Sequence, residues 1–238
     1  GINLVTKERS QQYASFQREI EGGWLVFTNI STRKKREDLK IIVCHLGNGA
    51  SCSAIVNGKC VATSMGLTPL EGLIMGTRSG DLDPAIVEFI SAKAGISIAD
   101  TEKILNKESG VYGLSNGLSS DFRDLEAGRD EGDEKCILAL EKFFYEVAKY
   151  IGAYAAALNG IDVLTFTAGV GENGPETREA ICNYLGYLGV KIDAEANKCR
   201  GKERLISTPD SAVQVWIVPT NEELMIAQDT AELVKAAK

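Results

Sequence analysis

Residues 41–49, IIVCHLGNG, carry an unbroken apolar run into a turn bounded by two glycines. Such a run is typical of a buried strand. Two further short strands are expected over residues 52–56 and 59–63, and Asn57-Gly58 between them is a strong hairpin signal. The pattern predicts a three-stranded antiparallel meander over residues 40–65.

The chain beyond the meander alternates between helical and strand patterns. Asp83-Pro84 begins a predicted helix, because aspartate caps helices and proline suits the first helical position. The expected apolar face of that helix consists of Ile86, Val87, Phe89 and Ile90. Further helices are predicted over residues 100–106, 134–158, 175–187 and 222–235, and strands over 163–167 and 213–218. This order predicts a mixed α/β sheet covered by helices.

Composition excludes several classes of protein. The 238 residues carry a formal net charge of −7, which disfavours a nucleic-acid partner. No apolar tract reaches the roughly 20 residues that span a bilayer, so no membrane partner is expected. The six cysteines form no C-x-x-C pair, and we interpret them as reduced thiols of a cytoplasmic protein. The one histidine lacks metal-ligand spacing to any thiol, which argues against structural zinc.

Two glycine-containing stretches follow predicted strands. In the first, residues 45–49, backbone amides beside Gly47 and Gly49 suit phosphate oxygens, although an ordinary hairpin turn remains the alternative. The second, residues 167–173, precedes a helix and suits a nucleotide's phosphate or ribose. No acidic residue ends a second strand about 20 residues on, so a dinucleotide-binding oxidoreductase is disfavoured.

Three charged stretches complete the candidate chemistry. Arg78 lies among small residues and can bind a carboxylate or a transferring phosphoryl group, the alternative being a surface ion pair with Asp81. Asp121 and Arg123 can hold a ribose or base, or simply cap a loop. Glu222 can reach Mg²⁺ or serve only in a helix's first turn. Nucleophilic hydrolases are set aside, because His45 lies at a glycine turn with no carboxylate nearby in the sequence to orient it.

Together these motifs closely resemble the acetokinase family. The matching stretches are CHLGNGAS (44–51), TSMGLTPLEGLIMGTRSGDLDP (63–84), SGVYGLS (109–115), SSDFRD (119–124), FTAGVGEN (166–173) and TPDSAVQVWIVPTNEELMIA (208–227). The resemblance implies a ribonuclease-H-like domain of the actin, sugar-kinase and Hsp70 superfamily. It also implies transfer of the γ-phosphoryl group from Mg-ATP to acetate, giving acetyl phosphate and ADP. Propionate or butyrate as acceptor, or a noncatalytic nucleotide-binding or dimerisation fragment, is the alternative.

The resemblance also implies roles for individual residues. Arg78 matches the family's transition-state-stabilising arginine, and Glu222 matches a magnesium ligand. The implied contacts to ATP phosphates are His45, Leu46, Gly47, Asn48 and Gly49. The implied adenosine contacts are Asp121, Phe122, Arg123, Gly169, Val170, Gly171, Glu172 and Asn173.

The same resemblance predicts the domain organisation. We expect residues 1–38 to be an unmatched segment and residues 39–238 to be the family's ATP-binding carboxy-terminal domain, with its amino-terminal domain absent. Acetate must be aligned in a cleft between two domains, so we expect this chain to have low or no activity. Family members are homodimers through the carboxy-terminal domain, and a homodimer is expected here. The helix over 222–235 is expected to lack part of its support.

Overall fold

A computed structural model describes residues 38–220 and three helical positions beyond them, 227, 230 and 234. The predicted segment 1–38 and the metal ligand Glu222 therefore lie outside the described residues, except for Asp38. Within the described range one sheet contains the strands β1 (Lys40–Leu46), β2 (Ala50–Val56), β3 (Lys59–Thr63), β4 (Val163–Thr167), β5 (Arg204–Leu205) and β6 (Gln214–Ile217). Their spatial order is β3-β2-β1-β4-β6-β5.

The sheet combines an antiparallel half with a parallel half. Strands β1, β2 and β3 pair antiparallel in sequence order, which confirms the predicted meander. Strand β4 then pairs parallel to β1, and β6 parallel to β4. The short strand β5 covers the outer edge of β6 in an antiparallel pair. The carboxyl ends of β1, β4 and β6 consequently meet at one edge, where ligands of open α/β sheets bind.

Helices surround this sheet. They are α1 (Ala85–Ala94), α2 (Ile98–Lys107), α3 (Gly110–Leu114), α4 (Phe122–Asp130), α5 (Glu134–Ala157), α6 (Ala168–Asn173), α7 (Pro175–Asn183) and α8 (Ala194–Asn197), with a 3₁₀ turn at Gly186–Leu188. In the described part of the chain, none of these helices has the length and apolarity needed to cross a membrane. The predicted mixed sheet covered by helices is confirmed.

The long helix α5 provides the largest share of the core on one face of the sheet. Asp133 caps it by accepting hydrogen bonds from the amides of Lys135 and Cys136, at 2.8 and 3.3 Å. Phe143 is fully buried and meets Phe122 of α4 edge to face, with ring centroids 4.6 Å apart. Burying an aromatic side chain stabilises the fold by about 1.5–3 kcal/mol, so this contact fixes α4 against α5.

Several predicted elements differ from the structure. Helix α1 begins at Ala85, so Pro84 takes the cap position that was expected for Asp83 and not the first helical position. Asp83 still accepts a hydrogen bond from the Ala85 amide over 2.9 Å, and no residue of the helix is buried. The helix from Pro175 ends at Asn183 rather than 187. Asp121 begins a helix, α4, rather than capping a loop. The helix expected over 222–235 lies outside the described residues except for its three helical positions. All six cysteines are free, as interpreted from the sequence.

Candidate functional site

Three segments converge at the edge where β1 and β4 end: the turn 47–49, the loop 72–81, here called the Arg78 loop, and helix α6. A Cβ atom at Gly47 would lie 3.6 Å from that of Ala168 at the start of α6. A Cβ atom at Gly49 would lie 3.5 Å from Nη1 of Arg78. The structure therefore brings together three of the predicted stretches that are 30 to 120 residues apart in the sequence.

The turn 47–49 offers backbone donors at this junction. The amide of Gly47 donates to the carbonyl of Gly49 over 3.0 Å and closes the turn. Within the described residues the amides of Asn48 and Gly49 donate no hydrogen bond, so both can bind an anion. His45 is half-buried inside β1, between Ser51 and Thr167. The side chain of Leu46 lies in the core, 0% exposed, so only its backbone can contribute to the site.

The Arg78 loop is docked on that turn by its backbone. The amide of Gly76 donates to the carbonyl of Asn48 over 3.0 Å. A Cβ atom at Gly76 would lie 1.9 Å from Oδ1 of Asn48, so a larger residue here would push the two segments apart. This close approach places Arg78 beside Gly49.

Arg78 is half-buried, and within the described residues it forms no ion pair with Asp81, the alternative partner expected from the sequence. The Asp81 carboxylate instead accepts hydrogen bonds from the amide of Gly72, at 2.9 Å, and the hydroxyl of Tyr150, at 2.5 Å. Among the described residues no carboxylate forms an ion pair with Arg78. Its guanidinium lies against the Met75 sulfur, with Nη1 3.5 Å from Sδ. A cation beside two available amides is suited to phosphate oxygens.

Helix α6 begins directly after β4 through an unusual backbone conformation. Ala168 has φ +63°, in the left-handed region that costs energy for a residue with a Cβ atom. A side chain at Gly169 would meet nothing within 4 Å, so this glycine borders open space. A Cβ atom at Gly171 would instead lie 3.4 Å from the carbonyl carbon of Phe166. Gly169 is therefore accessible at the start of α6, whereas Gly171 packs α6 onto the sheet.

Glu172 and Asn173, at the end of α6, are engaged in contacts within the protein. Glu172 Oε1 accepts hydrogen bonds from the amide and the hydroxyl of Thr220, at 2.9 and 3.2 Å. Asn173 Nδ2 donates to the carbonyl of Gly169 over 3.0 Å. Glu172 thus links the end of α6 to the segment that follows β6. Among the described residues no group of three or more histidine, cysteine, aspartate and glutamate side chains is placed to hold a metal ion.

The segment 121–123 lies at the start of α4. Asp121 accepts from the Arg123 amide over 2.9 Å and pairs with its guanidinium at 2.6 Å. These hydrogen bonds lower the pKa of the Asp121 carboxyl to about 2. Arg123 is 87% exposed along its side chain, whereas the Phe122 ring is buried against α5. In the described part of the chain no hydrogen bond joins this pair to the three converging segments, although Arg129 of α4 pairs with Glu176 of α7.

The sequence interpretation missed Arg178, which supports α6 from beneath. Its side chain is 0% exposed, and burial lowers its pKa to about 10. It donates to the carbonyl of Gly171 at 2.8 Å, and to Asn197 and Cys199 at 2.6 to 2.9 Å. The available signal was its spacing, because an arginine three residues before Ile181 lies on the buried face of α7.

Comparison with known proteins gives matches over most of this chain. Residues 28–228 match the model of the acetokinase family. The acetate kinase of Thermotoga maritima is 65% identical over 204 residues, which are 85% of this chain and 51% of that protein. The chain thus spans about half the length of the curated relatives it matches.

Solved structures agree with that assignment. The acetate kinase of Porphyromonas gingivalis superposes with a TM-score of 0.81 at 48% identity, over 84% of this chain and 50% of that one. A propionate kinase from Francisella tularensis reaches 0.77 at 39% identity, over 92% and 53%. These likenesses confirm the predicted fold of the actin, sugar-kinase and Hsp70 superfamily. The family model covers well over half of the sequence, and this chain therefore belongs to the acetokinase family.

Proposed function

We propose that this chain forms the ATP-binding half of a kinase that transfers the γ-phosphoryl group of ATP to acetate, giving acetyl phosphate and ADP. The observation that carries the proposal is the junction of Arg78 with the turn 47–49, where a half-buried cation lies beside two amides that donate no hydrogen bond within the described residues. The relatives support the same proposal, because the T. maritima protein, which is 65% identical to this chain over 204 residues, is an acetate kinase.

The chemistry follows from what phosphoryl transfer requires. Its transition state is loose and spreads negative charge over the equatorial oxygens, so alignment and positive charge do most of the catalysis. The amides of Asn48 and Gly49 would bind the phosphate chain of ATP. The Arg78 guanidinium would stabilise the charge that develops on the transferring group. No nucleophilic side chain is needed, because the acetate oxygen attacks directly.

The nucleoside would lie against α6 and the start of α4. Gly169 leaves open space for it, and the resemblance assigns residues 121–123 and 169–173 to the same role. Asp121 and Arg123 form an ion pair with each other in this structure, so a nucleoside would contact the edges of these side chains that face away from the pair. Phe122 and Gly171 would contribute by holding the backbone in place rather than through side-chain contact.

We also propose magnesium as the accompanying ion, with Glu222 as its protein ligand. An ion that arrives on nucleotide phosphates needs only one or two protein carboxylates, so a three-carboxylate cluster is not required. The tie between Glu172 and Thr220 brings the chain two residues before Glu222 next to α6. When bound, the ion would neutralise charge on the β- and γ-phosphates.

Two finer proposals concern assembly and location. Helix α1 has an apolar face with no buried residue, in which Phe89 is 57% exposed. We propose that this face meets a second copy of the chain in a homodimer, since a large exposed apolar patch marks an interaction site.

A cytoplasmic location is supported by the six free cysteines, four of them buried.

Trapping the acyl phosphate as a hydroxamate tests this function. With acetate and Mg-ATP we expect slow product formation, because this chain spans about half the length of the relatives it matches and the alignment of acetate needs a second wall. Arg78→Ala should lower the rate a further hundredfold or so, whereas Arg204→Ala, an exposed arginine of β5, should leave it unchanged. Equal rates in both variants would contradict the proposal. Faster reaction with propionate would favour the propionate kinase alternative, and nucleotide binding without any product would favour a noncatalytic module.

A further inference from the structure

The two ends of the Arg78 loop are closed on each other by a pair of reciprocal hydrogen bonds. The amide of Asp81 donates to the carbonyl of Gly72 over 2.9 Å, and the amide of Gly72 donates to Oδ1 of Asp81 over 2.9 Å. Gly72 has φ +110° and a Cβ atom there would lie 2.4 Å from the Ser64 carbonyl oxygen, so the chain turns in a way that only glycine allows. We call this closure, formed by Gly72 and Asp81, the neck.

One side chain joins the neck to α5. The hydroxyl of Tyr150, in the middle of α5, donates to Oδ2 of Asp81 over 2.5 Å. Burial and the bond to Asp81 raise the pKa of Tyr150, so the phenol stays protonated and remains a donor. A hydrogen bond to a carboxylate is about twice as strong as one between neutral groups. Both oxygens of Asp81 are thus occupied, one within the loop and one on α5.

Hydrogen bonds within the loop connect the neck to Arg78. The amide of Met75 donates to the carbonyl of Arg78 over 3.1 Å, and the amide of Gly76 holds the turn 47–49. Other backbone bonds of the loop go to α2 and α3, such as that from the Ser79 amide to the carbonyl of Leu105 at 2.9 Å. Helix α2 buries only two of its ten residues, so it is a weaker support than α5.

We infer that Asp81 and Tyr150 are positioning residues that act through Arg78, by holding its loop at the neck against α5 so that the guanidinium stays beside Gly49. That the two residues affect catalysis rests on the proposed function. That they hold the loop in place rests on the hydrogen bonds alone. Neither side chain is proposed to contact substrate. The two effects are tested by separate measurements.

Hydrogen exchange on the free protein tests the mechanical part. Tyr150→Phe removes one hydroxyl, and the amides of residues 72–81 should then exchange about tenfold faster, with no change in the sheet. Tyr145→Phe makes the same change on the exposed side of α5 and should leave that loop unaffected. Asp81→Ala should act like Tyr150→Phe, whereas Asp81→Asn can keep both contacts and should restore most of the protection. Unchanged exchange at 72–81 in Tyr150→Phe would overturn the inference.

The ratio of ATP to ADP affinity tests the action through Arg78, because only the triphosphate carries the group that this residue meets. Arg78→Ala should lower the ratio, Tyr150→Phe should lower it in the same sense, and the double variant should show no further loss. Equal weakening of ATP and ADP by Tyr150→Phe would show a merely structural role and contradict the inference. If the unchanged chain binds neither nucleotide, the proposed function fails and the exchange experiment alone decides the role of the neck.

Discussion

The Arg78 loop and helix α1 are neighbours in sequence and contrast in the way they are held. Residues 73–75 of the loop are almost fully buried, and its backbone bonds to the turn 47–49, to α2 and to α3. Four residues after the loop ends, α1 begins, and it buries no residue although seven of its ten residues are Ile, Val, Phe or Ala. One segment is complete within this chain, and the other presents an apolar face to its surroundings.

The two segments place different requirements on the sequence. The loop must hold a cation at one place, so its contacts lie within the chain and involve glycines at close approaches. No residue of α1 is buried within the described part of the chain, and for this reason we propose that its apolar face meets a second copy. Substitutions at Arg178, Phe89 and Asp121 test whether the site is supported from within the chain and whether the apolar face of α1 binds a second copy.

Loss of Arg178 should have the largest effect, because this buried side chain satisfies four acceptors beneath α6. Arg178→Ala should lower the free energy of unfolding by at least about 3 kcal/mol, through unsatisfied carbonyls and a cavity. Arg200→Ala removes an exposed arginine that donates to the carbonyl of Asn173, and should cost less than about 1 kcal/mol. Urea unfolding measures both, and equal losses would refute the buried support.

The open face of α1 should control assembly without affecting the fold. Phe89→Lys should weaken the dimer about thirtyfold or more, as for a central interface residue, while changing the free energy of unfolding of the monomer by no more than about 0.5 kcal/mol. Leu138→Lys is the matched control, since Leu138 of α5 is exposed to a similar extent, 54% against 57% for Phe89. Light scattering gives the mass. A strict monomer for the unchanged chain, or dissociation by Leu138→Lys alone, would exclude this face.

The smallest effect is expected at Asp121, whose side chain caps α4 and pairs with the exposed Arg123. Asp121→Ala should cost about 1 kcal/mol at neutral pH as a lost cap, and Asp121→Asn much less, because asparagine also caps helices. Hydrogen bonds from Arg123 lower the pKa of Asp121 from 3.8 to about 2. Its charge therefore stabilises the fold above about pH 4, and this contribution is lost as the pH falls to about 2. Acid titration of stability in Asp121→Asn should show no such loss.

Local signals in the sequence were sufficient for the meander and the parallel strands. The run 41–44 and the dipeptide Asn57-Gly58 predict β1 to β3 because both act over a few residues. The junction of Arg78 with Gly49 depends on contacts between distant segments, and motif resemblance alone brought them together. The exposure of α1 could not be predicted, since an amphipathic pattern does not say whether the partner belongs to the same chain. The left-handed Ala168 and the buried Arg178 each break a local preference, and only the surrounding packing explains them.

If the turn 47–49 and helix α6 together form a nucleotide site, calorimetric titration of this chain with Mg-ADP should give a saturable heat of binding. We predict one molecule bound per chain, and no binding by Gly169→Val, because a Cβ atom at this residue meets nothing within 4 Å and the added side chain would fill the open space beside α6. The urea midpoint of that variant should match that of the unchanged chain. No heat of binding with the unchanged chain, or equal affinity in Gly169→Val, would contradict the account.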